Sequence, residues 1–168
     1  MAAIYPLLAL REGFDGEQFV NRPLTETDEF DVPLVTFARF GDQGQVKCTT
    51  WAALQKRGHK IDNIERKGMK DLVERGERPG WEPMNVNHEG QEVTILMRQG
   101  DVVTASDILD PEMMNIAANY FSSEEVFVGI PCQTTMIASN QGEYIHAAVM
   151  EHYNAAPANG LIALSPMV

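Results

Sequence analysis

Apolar and polar positions alternate and then recur at helical spacing along most of this chain. The first clear strand falls over residues 33–40, where Val35, Phe37 and Ala38 carry β-propensity. The segment GDQGQ reads as a turn, and QVKC returns as a short strand. A short helix follows in TTWAALQKRG, capped by Thr49 or Thr50 and ended by Gly58. In KIDNIERKGMKDLVERG, Ile61, Ile64, Gly68, Leu72 and Val73 fall near one helical face, and Gly76 closes the element.

A hairpin is expected next, with strands over 84–86 and 93–97 joined through Gly90. Asp110 suits a helix N-cap and Pro111 a first helical residue. Met113, Ile116, Ala117, Tyr120 and Phe121 then recur at helical spacing, which predicts an inward face. The C-terminal part reads as strand EVFVGI, break PCQ, strand TTMIAS, helix YIHAAVMEHYN and strand LIALSPM. That helix is expected to bury Ile145, Ala148, Val149, His152 and Tyr153. Repeated hairpins among helices predict an α+β fold with a mixed or mainly antiparallel sheet and helices packed on one face. The expected organisation is a single domain over 32–168, preceded by an N-terminal arm or first strand over 1–31.

Composition narrows the class. The chain has 168 residues, 44% of them hydrophobic and 22% charged, which suits one domain with a real core. No apolar run approaches the roughly 18 residues needed for a membrane-spanning helix. The N-terminal apolar run lacks a basic leader and is interrupted by Pro6, so it does not read as a signal peptide. A cytoplasmic protein with reduced thiols at Cys48 and Cys132 is expected. The spacing of Cys and His encodes no metal site, no nucleotide-binding glycine motif is present, and no cofactor is expected.

The net charge is −11, unevenly spread. Residues 1–42 carry eight acids and three bases, and residues 43–80 carry five acids and nine bases. Residues 81–168 carry eleven acids and only Arg98. Such an acidic half repels phosphate backbones, which argues against nucleic acid as a partner and for a basic protein. The basic stretch KRGHKIDNIERKGMK can touch an anion locally, but its simplest reading is a solvated helix face.

Candidate chemistry is sparse. Cys132 follows a proline between two apolar runs, and a nucleophilic thiol would need a nearby base. His146 and His152 lie on the next helix, but six residues apart they do not share a face. The competing reading makes Cys132 a small buried hydrophobe and His152 a core histidine. For binding, Trp81 is the tryptophan expected to be exposed, and Asp101, Asp107, Glu124 and Glu125 supply acidic groups. Asp101 also suits a turn, and Asp107 and Asp110 suit helix caps.

Three stretches, LVTFARF with VKCTTWAALQKRGHKIDNIERKGMKDLVERG, then VTILMRQGDVVTASDIL, then VFVGIPCQTTMIAS with the closing ALSPMV, resemble the YtpQ-like family of bacterial proteins. Cys132, Gln133 and Thr134 stand where that family carries Ser-Arg or Arg-Asp after the proline. The resemblance spans roughly 32–168 and implies a soluble cytoplasmic bacterial fold without a reaction. The expected function rests on charge: a non-enzymatic binding or adaptor protein, immunity- or inhibitor-like, with an acidic surface for a basic protein. The alternative is a small thiol-dependent enzyme using Cys132 with His146 or His152.

Overall fold

A computed structural model describes residues 3–25, 32–41, 45–76, 78–159, 161 and 163–165. The centre of the expected GDQGQ turn and positions 162, 166 and 167 of the expected closing strand LIALSPM lie outside these residues, and the described part of LIALSPM forms an isolated bridge at Ala163. The chain has an α+β fold built on two antiparallel sheets, and its contacts divide it into two compact units, residues 1–76 and 77–168. The N-terminal segment, expected as an arm or first strand, supplies strands to the first unit.

The first unit is organised around β3 (Leu34–Phe40), whose first five residues are buried. β1 (Tyr5–Ala9) runs antiparallel to it, with Leu7 opposite Thr36. β2 (Asn21–Pro23) and β4 (Val46–Cys48) pair with successive stretches of β3. The buried Thr36 hydroxyl donates to the Val20 carbonyl at 2.8 Å, so the one polar side chain within that buried run is satisfied. α1 (Trp51–Lys56) begins where the Thr50 hydroxyl accepts the Ala53 N–H, and the chain leaves it through Gly58 at φ +63°.

α2 (Ile61–Val73) covers one face of this sheet, burying Ile64, Gly68 and Leu72. Gly68 is needed for that approach: a Cβ there would sit 3.0 Å from the Phe37 ring. Val73, grouped with the seam by spacing, is exposed, because it lies a further 100° round the helix from Leu72.

The second unit holds β5 (Glu82–His88), β6 (Gln91–Gln99), β7 (Phe127–Cys132) and β8 (Thr135–Ser139), in the order β5-β6-β8-β7. Glu89 and Gly90 both have positive φ and make the two-residue β5–β6 turn. A 3-10 helix (Thr104–Leu109) leads into α3 (Pro111–Phe121), where Asp110 and Pro111 take the expected cap and first positions. Leu96 and Ala138 pack with Ala117 of α3, while their neighbours Ile95 and Ile137 pack with Ile145 and Val149 of α4 (Gly142–Ala155). Adjacent strand residues point to opposite faces, so this sheet carries a helix on each face rather than on one. Gly129 of β7 lies directly under Val149, leaving no room for a side chain.

The orientation of α3 differs from its apolar pattern. Ala117 is its buried centre, with Phe121 against the same cluster. Ile116 and Tyr120, expected inward, are 45% and 52% exposed. On α4, Ile145 and Val149 are buried as expected, and Ala148, His152 and Tyr153 are half-buried.

One carboxylate ties the first unit together. Asp71 accepts the Ile4 backbone N–H at 2.7 Å and the Lys67 ammonium at 2.6 Å. Burial pushes its carboxyl up, but the Ile4 N–H and the charges of Lys67 and Lys70 together hold it below the usual range. The stabilisation is therefore complete above the unfolded carboxyl value of about 3.9 and is lost as pH falls through the lower folded value. Asp71→Asn is expected to cost about 1–3 kcal/mol at neutral pH, with the deficit shrinking in acid. Urea unfolding followed through Trp51 in a Trp81→Phe background checks both parts.

Candidate functional site: an acidic surface around a buried arginine network

Residues 78–168 contain two basic side chains other than histidine, Arg78 and Arg98. Both are turned into the fold. Arg98 lies two residues beyond Leu96 on β6, so strand alternation puts it on the same buried face. It is 0% exposed, as is Asp107, whose Oδ2 accepts from the Arg98 Nη2 at 2.6 Å. Arg78 completes the cluster from the approach to β5. Its Nη2 donates to Asp107 Oδ1 at 2.9 Å and to Asp110 Oδ2 at 2.7 Å. Burial pulls the Arg78 guanidinium down, but Asp110 and Asp107 more than compensate and keep it charged.

The network also anchors α3. The other Asp110 oxygen accepts the Glu112 N–H at 3.0 Å, so one carboxylate serves both as helix cap and as ion-pair partner. Arg98 also contacts the Met113 sulfur, and the Trp81 indole N–H donates to the Met113 carbonyl at 3.0 Å. Trp81, expected as an exposed anchor, is instead packed against the cluster of Leu96, Ala117 and Ala138. Asp107, expected among surface acids, belongs to the interior, because two guanidinium groups hold it there.

Removing these two cations from the surface leaves it unbalanced. Glu82, Glu89, Glu92, Asp101, Glu112, Glu124, Glu125, Glu143 and Glu151 are all exposed. Asp101 also accepts the Val103 N–H at 2.9 Å, so it shapes the turn before the 3-10 helix as well as adding charge. Glu124 and Glu125 follow the end of α3, where Ser122 adopts the left-handed cap at φ 50°. Along the outer side of α3, Glu112, Ile116 and Tyr120 succeed one another at intervals of four residues. The apolar pair therefore stands exposed between Glu112 and the Glu124–Glu125 pair.

The thiol reading finds a different setting. Cys132 is 2% exposed, bridged to Ala163, and its sulfur lies 3.5 Å from the Thr134 hydroxyl. Its polar side-chain partner among the described residues is that hydroxyl, not an imidazole. His146 is exposed on α4 and His152 half-buried. No group of three or more His, Cys, Asp or Glu is placed to hold a metal ion among the described residues.

The arginine network was not anticipated, although one sequence signal pointed to it. Arg98 directly follows the apolar run ILM as the sole Lys or Arg of residues 81–168, and strand spacing places it on the face of Leu96. No family model, curated protein or solved structure matches this chain. The resemblance drawn from the sequence rests on its quoted residues alone.

With the Cys132 sulfur enclosed, alkylation in a Cys48→Ser background should be negligible in the native protein and should follow global unfolding in urea. Rapid labelling of the folded protein below the usual thiol value of about 8.5 would contradict this placement.

Proposed function

We propose that the protein is a non-enzymatic binding protein whose second unit docks a basic protein partner, as an immunity protein, inhibitor or adaptor would. One observation carries this reading. Both arginines of residues 78–168 are consumed internally by Asp107 and Asp110, while nine carboxylates remain exposed. An unbalanced negative field accelerates encounter with a positive partner and disfavours negative ones.

The outer side of α3 is the proposed contact. Tyr120 and Ile116 supply the apolar anchor that charge alone lacks, and tyrosine is enriched at binding hot spots. Glu112, Glu124 and Glu125 supply an acidic rim. Rim charges act mainly on the association rate, and a central aromatic acts mainly on dissociation.

Capture of partners on the intact protein at low salt, followed by kinetic titration of the recovered partner, tests this reading. The expected partner is basic, and its association rate falls steeply with added salt. Glu124→Gln with Glu125→Gln should slow association with little change in dissociation. Tyr120→Ala should weaken binding by about ten- to a hundredfold, mainly through faster dissociation. Binding that ignores salt and tolerates both changes would overturn the proposal.

A further inference from the structure

The first unit contains a cleft of about 330 Å³ between the β4–α1 junction and α2. This lies at the lower end of the roughly 300–1000 Å³ spanned by small-molecule sites. Its apolar wall is made by Ile4, Ala53, Leu54 and Ile64, of which Ile4, Leu54 and Ile64 are buried core residues. Its charged lining is entirely basic: Arg39, Lys47, Arg57 and Lys67, with His59 beside them. The chain has a net charge of −11, yet no carboxylate among the described residues lines this half-open cleft.

Arg39 and Lys47 are directly opposite partners across β3 and β4, and both line the cleft. Like charges facing each other across an antiparallel pair repel. Lys67 is neutralised by Asp71 at 2.6 Å. Arg39, Lys47 and Arg57 have no carboxylate partner among the described residues. Three cations thus stand beside an apolar wall, and one opposed pair of them has no counter-charge among the described residues.

We infer that this cleft binds a small organic oxyanion, with a carboxylate or phosphate head on an apolar body. The head sits between Arg39 and Lys47 and relieves their repulsion, with Arg57 completing the positive rim. Guanidinium forks match both head groups through paired N–H donors. The body lies against Leu54 and Ile64. A purely hydrophilic anion leaves that wall wet, and an apolar neutral molecule leaves the cations unpaired. The acidic surface of the second unit plays no part in this inference.

Cys48 lines the same cleft and reports on its occupancy. Its thiol is half-buried, and burial raises its pKa against the opposing effect of a hydrogen bond with Thr36. Cys132 is 2% exposed and stays silent in the folded protein.

The test uses the intact chain and three eight-carbon probes: octanoate, octyl phosphate and the neutral 1-octanol. Iodoacetamide labelling of Cys48 in mildly alkaline buffer and titration calorimetry are read together. Saturable binding of either anion, with matching protection of Cys48, is expected, and the tighter anion identifies the head group. The double variant Arg39→Gln, Lys47→Gln should bind at least about tenfold more weakly, as loss of charge-assisted hydrogen bonds implies. Its circular dichroism should match the parent's and its melting temperature should be no lower, since an opposed like-charge pair has been removed. Equal protection by 1-octanol, no saturation by either anion at millimolar concentration, or unchanged affinity in the folded double variant would each overturn the inference.

Discussion

The guanidinium of Arg98 has no contact with water, and the second unit is arranged around that constraint. A buried cation costs several kcal/mol unless it is paired and hydrogen-bonded. Asp107, equally buried, supplies the counter-charge, and Arg78 binds the second oxygen of that carboxylate. Arg78 then reaches Asp110, which caps α3. Four side chains from the approach to β5, from β6, from the 3-10 helix and from the start of α3 are thereby fixed to one another. Such a cluster adds little net stability over an apolar one, but losing any single member strands a buried charge. Its contribution is to define where α3 begins and how it is rotated on the sheet.

That rotation and that pairing have a common consequence outside. With both arginines inside, nothing offsets the exposed carboxylates, and with Ala117 as the buried centre of α3, Ile116 and Tyr120 face outward. The acidic surface and its apolar anchor therefore follow from the same interior arrangement. The first unit reverses the pattern. There a carboxylate, Asp71, is turned inward to hold Ile4 and Lys67, while three cations without a carboxylate partner among the described residues line a cleft.

Much of the fold was legible because local signals agreed with tertiary packing. Thr50 and Gly58 delimit α1, Gly90 turns β5 into β6, and Asp110 with Pro111 opens α3, each through its own backbone chemistry. The rotation of α3 was not legible. Met113, Ile116, Ala117, Tyr120 and Phe121 make a stripe too broad to choose its own centre, and the choice is made by Arg98 and Trp81 contacting Met113. Acidic residues could be counted from the sequence, but which of them reach solvent could not. Asp107 and Glu124 look alike in composition and lie at opposite extremes of burial. The cleft was hidden for a related reason: Arg39 and Lys47 become opposed only through the β3–β4 register.

A double-mutant cycle on the unfolding free energy of the second unit tests the central claim most directly, using Arg98→Met, Asp107→Leu and the pair, followed through Trp81 in a Trp51→Phe background. If the surface is acidic because its arginines are bound within, each single change should cost about 3–5 kcal/mol, and the double change much less than their sum. Single changes of little cost that add without coupling would show that Arg98 is not held by Asp107, and the account of the acidic surface would fail with it.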